Sequence, residues 1–173
     1  YGKFVGISEK KMKKFEDFNL KKTTMEFIAI NHFKEPTPIQ ESIIPSALKG
    51  KDTIGLSATG SGKTHAYLIP VMEKINTEDN STQVVITAPT RELARQIYEN
   101  ARVMCDVLPE LRVSLYVGGQ DRDRDIEALK KNQPHIAIGT PGRIKDLFLN
   151  AGVLRIENTK MLIVDEADMT LEF

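Results

Sequence analysis

Short apolar runs recur along the chain, each followed by a stretch with helical spacing. The runs lie at 53–57, 83–88, 113–117, 135–139 and Met161–Asp165 and are rich in β-branched and aliphatic residues. Near-continuous apolar strands belong to parallel sheets buried on both faces. The span 63–75 places Ala66, Leu68, Ile69, Met72 and Ile75 at helical spacing. Pro70 inside it removes the backbone bond to the Ala66 carbonyl and predicts a kink or two shorter pieces. Leu93, Ile97, Ala101, Met104 and Cys105 predict a helix over 91–107. Shorter helices are expected over 126–131 and 142–149. Regular alternation of this kind implies an α/β fold, a parallel β-sheet with helices on both faces. Ligands of such sheets sit at the carboxyl ends of the strands.

The part before the first strand reads as all-helical. A helix over 23–30 directs Met25, Ile28 and Ala29 inward, Pro36-Thr37-Pro38 interrupts, and a second helix over 39–48, bent at Pro45, stops at Gly50. Residues 77–82 are polar and read as a mobile loop.

The 24 basic and 24 acidic side chains cancel, so any surface for a polyanion must be a local patch. The single cysteine, Cys105, excludes an internal disulfide, suits a reducing compartment and reads as a buried, inert thiol. No apolar run reaches membrane-spanning length and no signal-peptide core is visible. A cytoplasmic protein with no membrane partner is expected. Residues 1–14, with Lys3, Lys10, Lys11, Lys13 and Lys14, read as a solvated, partly flexible basic segment. His65 and His135 read as structural, and no His/Cys cluster has zinc-ligand spacing.

Two segments carry the chemistry. Ser57-Ala58-Thr59-Gly60-Ser61-Gly62-Lys63-Thr64 follows the first strand and opens a helix. Such a turn aims backbone N–H groups and a helix N-terminus at phosphate oxygens, with Lys63 on the outer phosphates and the Thr64 hydroxyl on Mg²⁺. Asp165-Glu166-Ala167-Asp168 ends the last strand. Its first two carboxylates supply a metal holder, Asp165, and a base for water, Glu166. Together the segments specify a nucleoside triphosphatase using ATP or another nucleotide with Mg²⁺. The Gln40 amide can donate and accept at once, which matches the N6/N7 edge of adenine, and Phe15 can stack on a base. Arg91, Glu92, Gly118-Gly119 and Pro141-Gly142 taken singly read as helix starts and turns. All of them follow strands at one sheet edge, where backbone N–H groups, Arg91, Thr140 and Arg143 can hold a phosphodiester backbone without reading bases.

In order and spacing, Phe15 with Pro36-Thr37-Pro38-Ile39-Gln40, the glycine-rich turn, Pro89-Thr90-Arg91-Glu92-Leu93-Ala94, Gly118-Gly119, Thr140-Pro141-Gly142-Arg143 and Asp165-Glu166-Ala167-Asp168 resemble the first RecA-like domain of a DEAD-box ATP-dependent RNA helicase. The stretches 64–67 and 168–173 are similar to bacterial cold-shock-type members. The resemblance covers 15–173 and implies a RecA-like P-loop domain truncated after its acidic segment. It implies that Phe15 and Gln40 select ATP. It also implies that Pro89, Thr90, Arg91, Gly118, Gly119, Thr140, Pro141, Gly142 and Arg143 hold RNA by its backbone, independently of sequence. A second RecA-like domain needed for activity would be absent, leaving the fragment largely inactive. Ser57 stands where the family has Ala or Gly. His32 stands where it has Gly before an aromatic, a substitution costing ~1 kcal/mol if the backbone there needs φ > 0.

Other classes fit less well. A GTPase needs an aspartate two residues after its lysine, but Thr159-Lys160 is followed by Met161-Leu162. A small-molecule kinase leaves Gln40, Arg91 and Arg143 unexplained. A non-enzymatic RNA clamp is opposed by the intact Lys63, Thr64, Asp165 and Glu166.

Overall fold

The computed structural model describes residues 14–33, 35–36, 40–41, 53–56 and 63–165, with backbone alone at 53–56, 63 and 65. The expected helix over 39–48, the basic segment before Lys14, the turn 57–62 and residues 166–173 lie outside the described residues, apart from helical Gln40 and Glu41. The chain divides into two compact units, 1–50 with 60–74 and 51–59 with 75–173.

In the first unit a 3-10 turn, Phe15–Phe18, precedes α1 (Lys22–Ile30), and α2 spans Lys63–Lys74. α1 packs on α2. Thr24, Phe27 and Ile28 form its buried stripe, whereas Ala29 is exposed and Met25 half-buried. Phe27, one turn before Asn31, displaces Ala29 from the expected inward face because the larger ring gains more from burial. The two helices are tied by Glu73. Its Oε2 accepts from the Lys21 backbone N–H and from Thr24 Oγ1, both at 2.6 Å. α2 is one continuous helix through Pro70 rather than two shorter pieces. One missing N–H removes one bond, while the flanking Leu68, Ile69, Val71 and Met72 are fully or almost fully buried and hold the helix by packing. His32 has φ 62°, so the condition on which its substitution cost depended, a left-handed backbone, is met.

The second unit is a five-stranded parallel sheet in the order β1-β5-β2-β4-β3. The strands are β1 (Thr53–Leu56), β2 (Val84–Thr87), β3 (Val113–Tyr116), β4 (Ile136–Gly139) and β5 (Met161–Asp165). Val85 pairs with Ala137 and Leu162, so these side chains share a face. That face packs on Leu129 of α4 (Arg122–Lys131) and Ile144 of α5 (Pro141–Lys145), with Leu147 and Leu154. Val84, Ile86, Ile136, Ile138 and Ile163 point the other way and are buried almost completely. α3 (Arg91–Arg102) packs against β3 and β4 with Ala94, Ile97 and Ala101 inward. A right-handed β2-to-β3 connection sets it on the face opposite α4 and α5.

Several boundaries differ from expectation. α3 stops at Arg102 and continues as a 3-10 turn, Val103–Asp106. Cys105 in that turn is half-buried, with Sγ 3.5 Å from the Leu111 carbonyl, and burial pushes its thiol up. α4 starts at Arg122 rather than at the first apolar residue, because the Asp121 carboxylate caps it, accepting from Asp123 N at 3.0 Å. α5 is short and widens into a π-turn, Asp146–Asn150.

The polar stretch 77–82 is tied down rather than loose. Gln83 Nε2 donates to the Asn76 and Asp79 carbonyls, and Thr82 Oγ1 donates to the Pro134 carbonyl. His135 precedes β4 instead of beginning it. Among the described residues no helix is long and apolar enough to cross a membrane.

Candidate functional site

Parallel strands all end on one side, and in the second unit that edge gathers most of the residues singled out by sequence. β2 runs out at Thr87 into half-buried Pro89 and exposed Thr90. Thr90 caps α3, its hydroxyl accepting from Leu93 N at 3.1 Å. Arg91, exposed in the first turn, swings across to β3's exit, where Nη1 donates to the Gly118 carbonyl at 3.2 Å. Gly119 has φ 90°, and a Cβ there would lie 2.6 Å from Arg91 Nη1. Glycine is thus required twice, for the turn and for the close approach of the guanidinium.

The next exits are stitched the same way. Thr140 N donates to the Tyr116 carbonyl at 3.2 Å and Ala88 N to the Gly139 carbonyl at 3.0 Å. A Cβ on Gly139 would overlap the Tyr116 carbonyl. Pro141, at the first position of α5, has no N–H to leave unsatisfied. Gly142 is exposed, whereas Arg143 is largely enclosed. A groove of about 500 Å³ runs between α3 and the turn Gly118–Gln120, lined by Arg91, Arg95 and Gln96 with Glu92 and Glu99 on its wall. Two arginines facing two glutamates leave little net charge. A polyanion would here be held by directed N–H donors rather than by bulk attraction.

β5 delivers Asp165 to the same edge, 4% exposed. Glu166, Ala167 and Asp168 lie outside the described residues, as does the turn from Ser57 to Gly62. In the first unit α2 begins at Lys63, and Thr64 is half-buried. Phe15 and Gln40 are both buried, at 2% and 1% exposure, while Phe18 is half-buried.

Among the described residues no group of three His, Cys, Asp or Glu could hold a metal. Mg²⁺ takes hard oxygen donors, keeping most of its water and using one or two carboxylates plus substrate phosphates. The Asp165 carboxylate and the Thr64 hydroxyl are each of that chemical type.

Sequence reasoning passed over the partners of this edge. Asp125 binds Arg143 at 3.2 Å, and Arg122 binds Asp146 at 2.7 Å. The available signal was the mirrored spacing, Arg then Asp three residues on in α4, and Arg then Asp three residues on from α5.

The DEAD/DEAH box helicase family matches residues 37–173. The chain belongs to that family. Its matched stretch includes Gln40, the glycine-rich turn after β1 and the exits of the other four strands. This DEAD/DEAH box chain is 48% identical over 141 residues to the DEAD-box ATP-dependent RNA helicase CshB of Listeria monocytogenes, covering 81% of the chain and 32% of the relative. It is 46% identical over 161 residues to CshB of Bacillus cereus, covering 91% and 36%. The chain thus spans about a third of the length of these curated relatives. Among solved structures, a DEAD box protein from the hyperthermophile Methanococcus jannaschii aligns with TM-score 0.79 and 34% identity over 91% of this chain and 42% of that one. The fold is therefore the RecA-like domain of this family, as the sequence resemblance implied.

Proposed function

We propose that this chain is the ATP-binding part of an ATP-dependent RNA helicase, an RNA-stimulated ATPase that unwinds or remodels RNA duplexes. The observation carrying this reading is the single edge on which Arg91, Gly118-Gly119, Thr140 to Gly142 and Asp165 converge.

In this reading the backbone of residues 57–62 and Lys63 hold the ATP phosphates. Thr64 and Asp165 hold Mg²⁺, which when bound neutralises charge on the phosphates. Glu166 orients the attacking water and takes its proton. Gln40 pairs with the adenine edge, and Phe15 forms the wall beside it. RNA lies along the strand exits, held by backbone N–H groups and Arg91 without reading bases. A second domain supplies the cation that faces the transferred phosphoryl group, which in related chemistry is worth ~10³–10⁵ in rate.

The test is ATP turnover by the full-length protein with and without single-stranded RNA. Stimulation by RNA, preference for ATP over GTP and loss of turnover in Lys63→Ala are expected. Turnover indifferent to RNA would overturn the reading.

A further inference from the structure

α4 and the segment opened by α5 carry reciprocal charges. On α4, Arg122 precedes Asp125 by one helical turn. On the other side, Arg143 precedes Asp146 by the same spacing. The two arginines reach across to the two aspartates. Arg122 Nε and Nη2 meet Asp146 Oδ2 and Oδ1 at 2.7 and 3.2 Å, and Arg143 Nη1 meets Asp125 Oδ2 at 3.2 Å. The two pairs differ in setting. Arg122 is 44% exposed and Asp146 23%, whereas Arg143 and Asp125 are each 13% exposed. Arg143 Nη2 also points at the Gln120 carbonyl, 3.5 Å away.

This arrangement changes what Arg143 can do. Its neighbour at the edge, Arg91, is exposed and, among the described residues, holds the Gly118 carbonyl. Arg143 is enclosed and already neutralised. Leaving Asp125 to reach a phosphate would strand a carboxylate in a site where burial already raises its pKa against the pull of Arg143. Asp125 lies four residues after the cap Asp121, and Arg143 three after Thr140. The pair therefore fixes the distance between the Gly118–Asp121 turn and the Thr140–Gly142 helix start, the two backbone segments that flank the candidate RNA track.

We propose that Asp125 and Arg143 are a positioning pair. They set RNA affinity by holding those two segments in register, and Arg143 does not itself contact the RNA backbone. Arg122 and Asp146 brace the same junction from its solvent side. The proposal rests on the RNA track proposed above.

The test is fluorescence anisotropy of the full-length protein with a labelled oligouridylate and a non-hydrolysable ATP analogue, across a range of KCl concentrations. Arg143→Gln and Asp125→Asn should each weaken RNA about tenfold, and the double variant should be no weaker than either, because one interaction is lost once. The slope of log affinity against log salt should stay at the wild-type value in Arg143→Gln, since no phosphate contact is lost. The exchanged pair, Asp125→Arg with Arg143→Asp, should recover affinity. The RNA concentration for half-maximal ATPase stimulation should follow the same order. A slope shallower by about 1 in Arg143→Gln, together with unchanged or tighter binding in Asp125→Asn, would show a direct phosphate contact and overturn the proposal. Additive losses in the double variant would also overturn it, and this reading does not need the exchanged pair to fold. Arg91→Gln serves as the control. It should weaken RNA and flatten the slope by about 1, and no change there would instead refute the RNA track itself.

Discussion

The His135 imidazole joins two backbone groups from separate segments. Nδ1 accepts from the Arg112 N–H at 2.9 Å, and Nε2 faces the Thr77 carbonyl at 3.1 Å. One ring nitrogen accepts and the other donates, so the ring must be neutral. Burial, then the nearby Arg112 charge, holds its pKa below the ordinary histidine value. A depressed histidine costs nothing while both states are neutral. Below the unfolded value of about 6.5 the unfolded chain binds a proton that the native one refuses. Stability should therefore be level above that pH and fall below it, by at most ~1.4 kcal/mol per pH unit from this group. His135→Ala should cost about 1–3 kcal/mol at neutral pH by orphaning the two backbone groups. The gap between variant and wild type should narrow in acid. Urea melts at several pH values measure both.

Glu73 holds α1 on α2 through a backbone and a side-chain donor. Glu73→Ala should cost about 1–3 kcal/mol, since Thr24 is fully buried and loses its acceptor. Thr24→Val in that background should restore part of the loss by removing the stranded hydroxyl. Thermal melts of the two variants decide this.

His32 occupies the left-handed region at φ 62°. His32→Gly should stabilise by about 0.5–1 kcal/mol, the relief of the Cβ clash less the greater chain entropy of glycine. The checking observation is a higher urea midpoint with an unchanged m value.

Gly119 combines φ 90° with a 2.6 Å approach of Arg91 Nη1 to the missing Cβ. Gly119→Ala should dislodge Arg91 from the Gly118 carbonyl and weaken RNA of every sequence alike. Competition between homopolymeric RNAs would show whether the loss is uniform. A selective loss would mean that this edge reads bases.

Nucleotide choice should follow Gln40. A site built to pair with a base edge rejects bases that leave its own polar groups unpaired. Gln40→Ala should weaken ATP and narrow its advantage over GTP in nucleotide competition. Glu166→Gln should leave ATP binding intact and stop hydrolysis, as read by filter binding alongside phosphate release.

Sequence alone determined the alternation of strands and helices, the burial of both sheet faces and the placing of the motif residues at strand ends. These follow from local pattern: apolar runs cannot be solvated on either face, and a glycine, proline or capping threonine after a strand acts within a few residues of itself. The α4 start was local too, but its signal was the carboxylate of Asp121 rather than apolar spacing, so the helix was placed too late. Tertiary structure alone decided the rest. Pro70 sits in an unbroken helix because surrounding burial outweighs one lost hydrogen bond. The polar stretch 77–82 is fixed at both ends because Pro134 and His135, distant in sequence, supply partners for Thr82 and Thr77. Arg143 is enclosed because Asp125 meets it across two elements, and no spacing along the chain states which charges will face one another once the sheet brings their helices side by side.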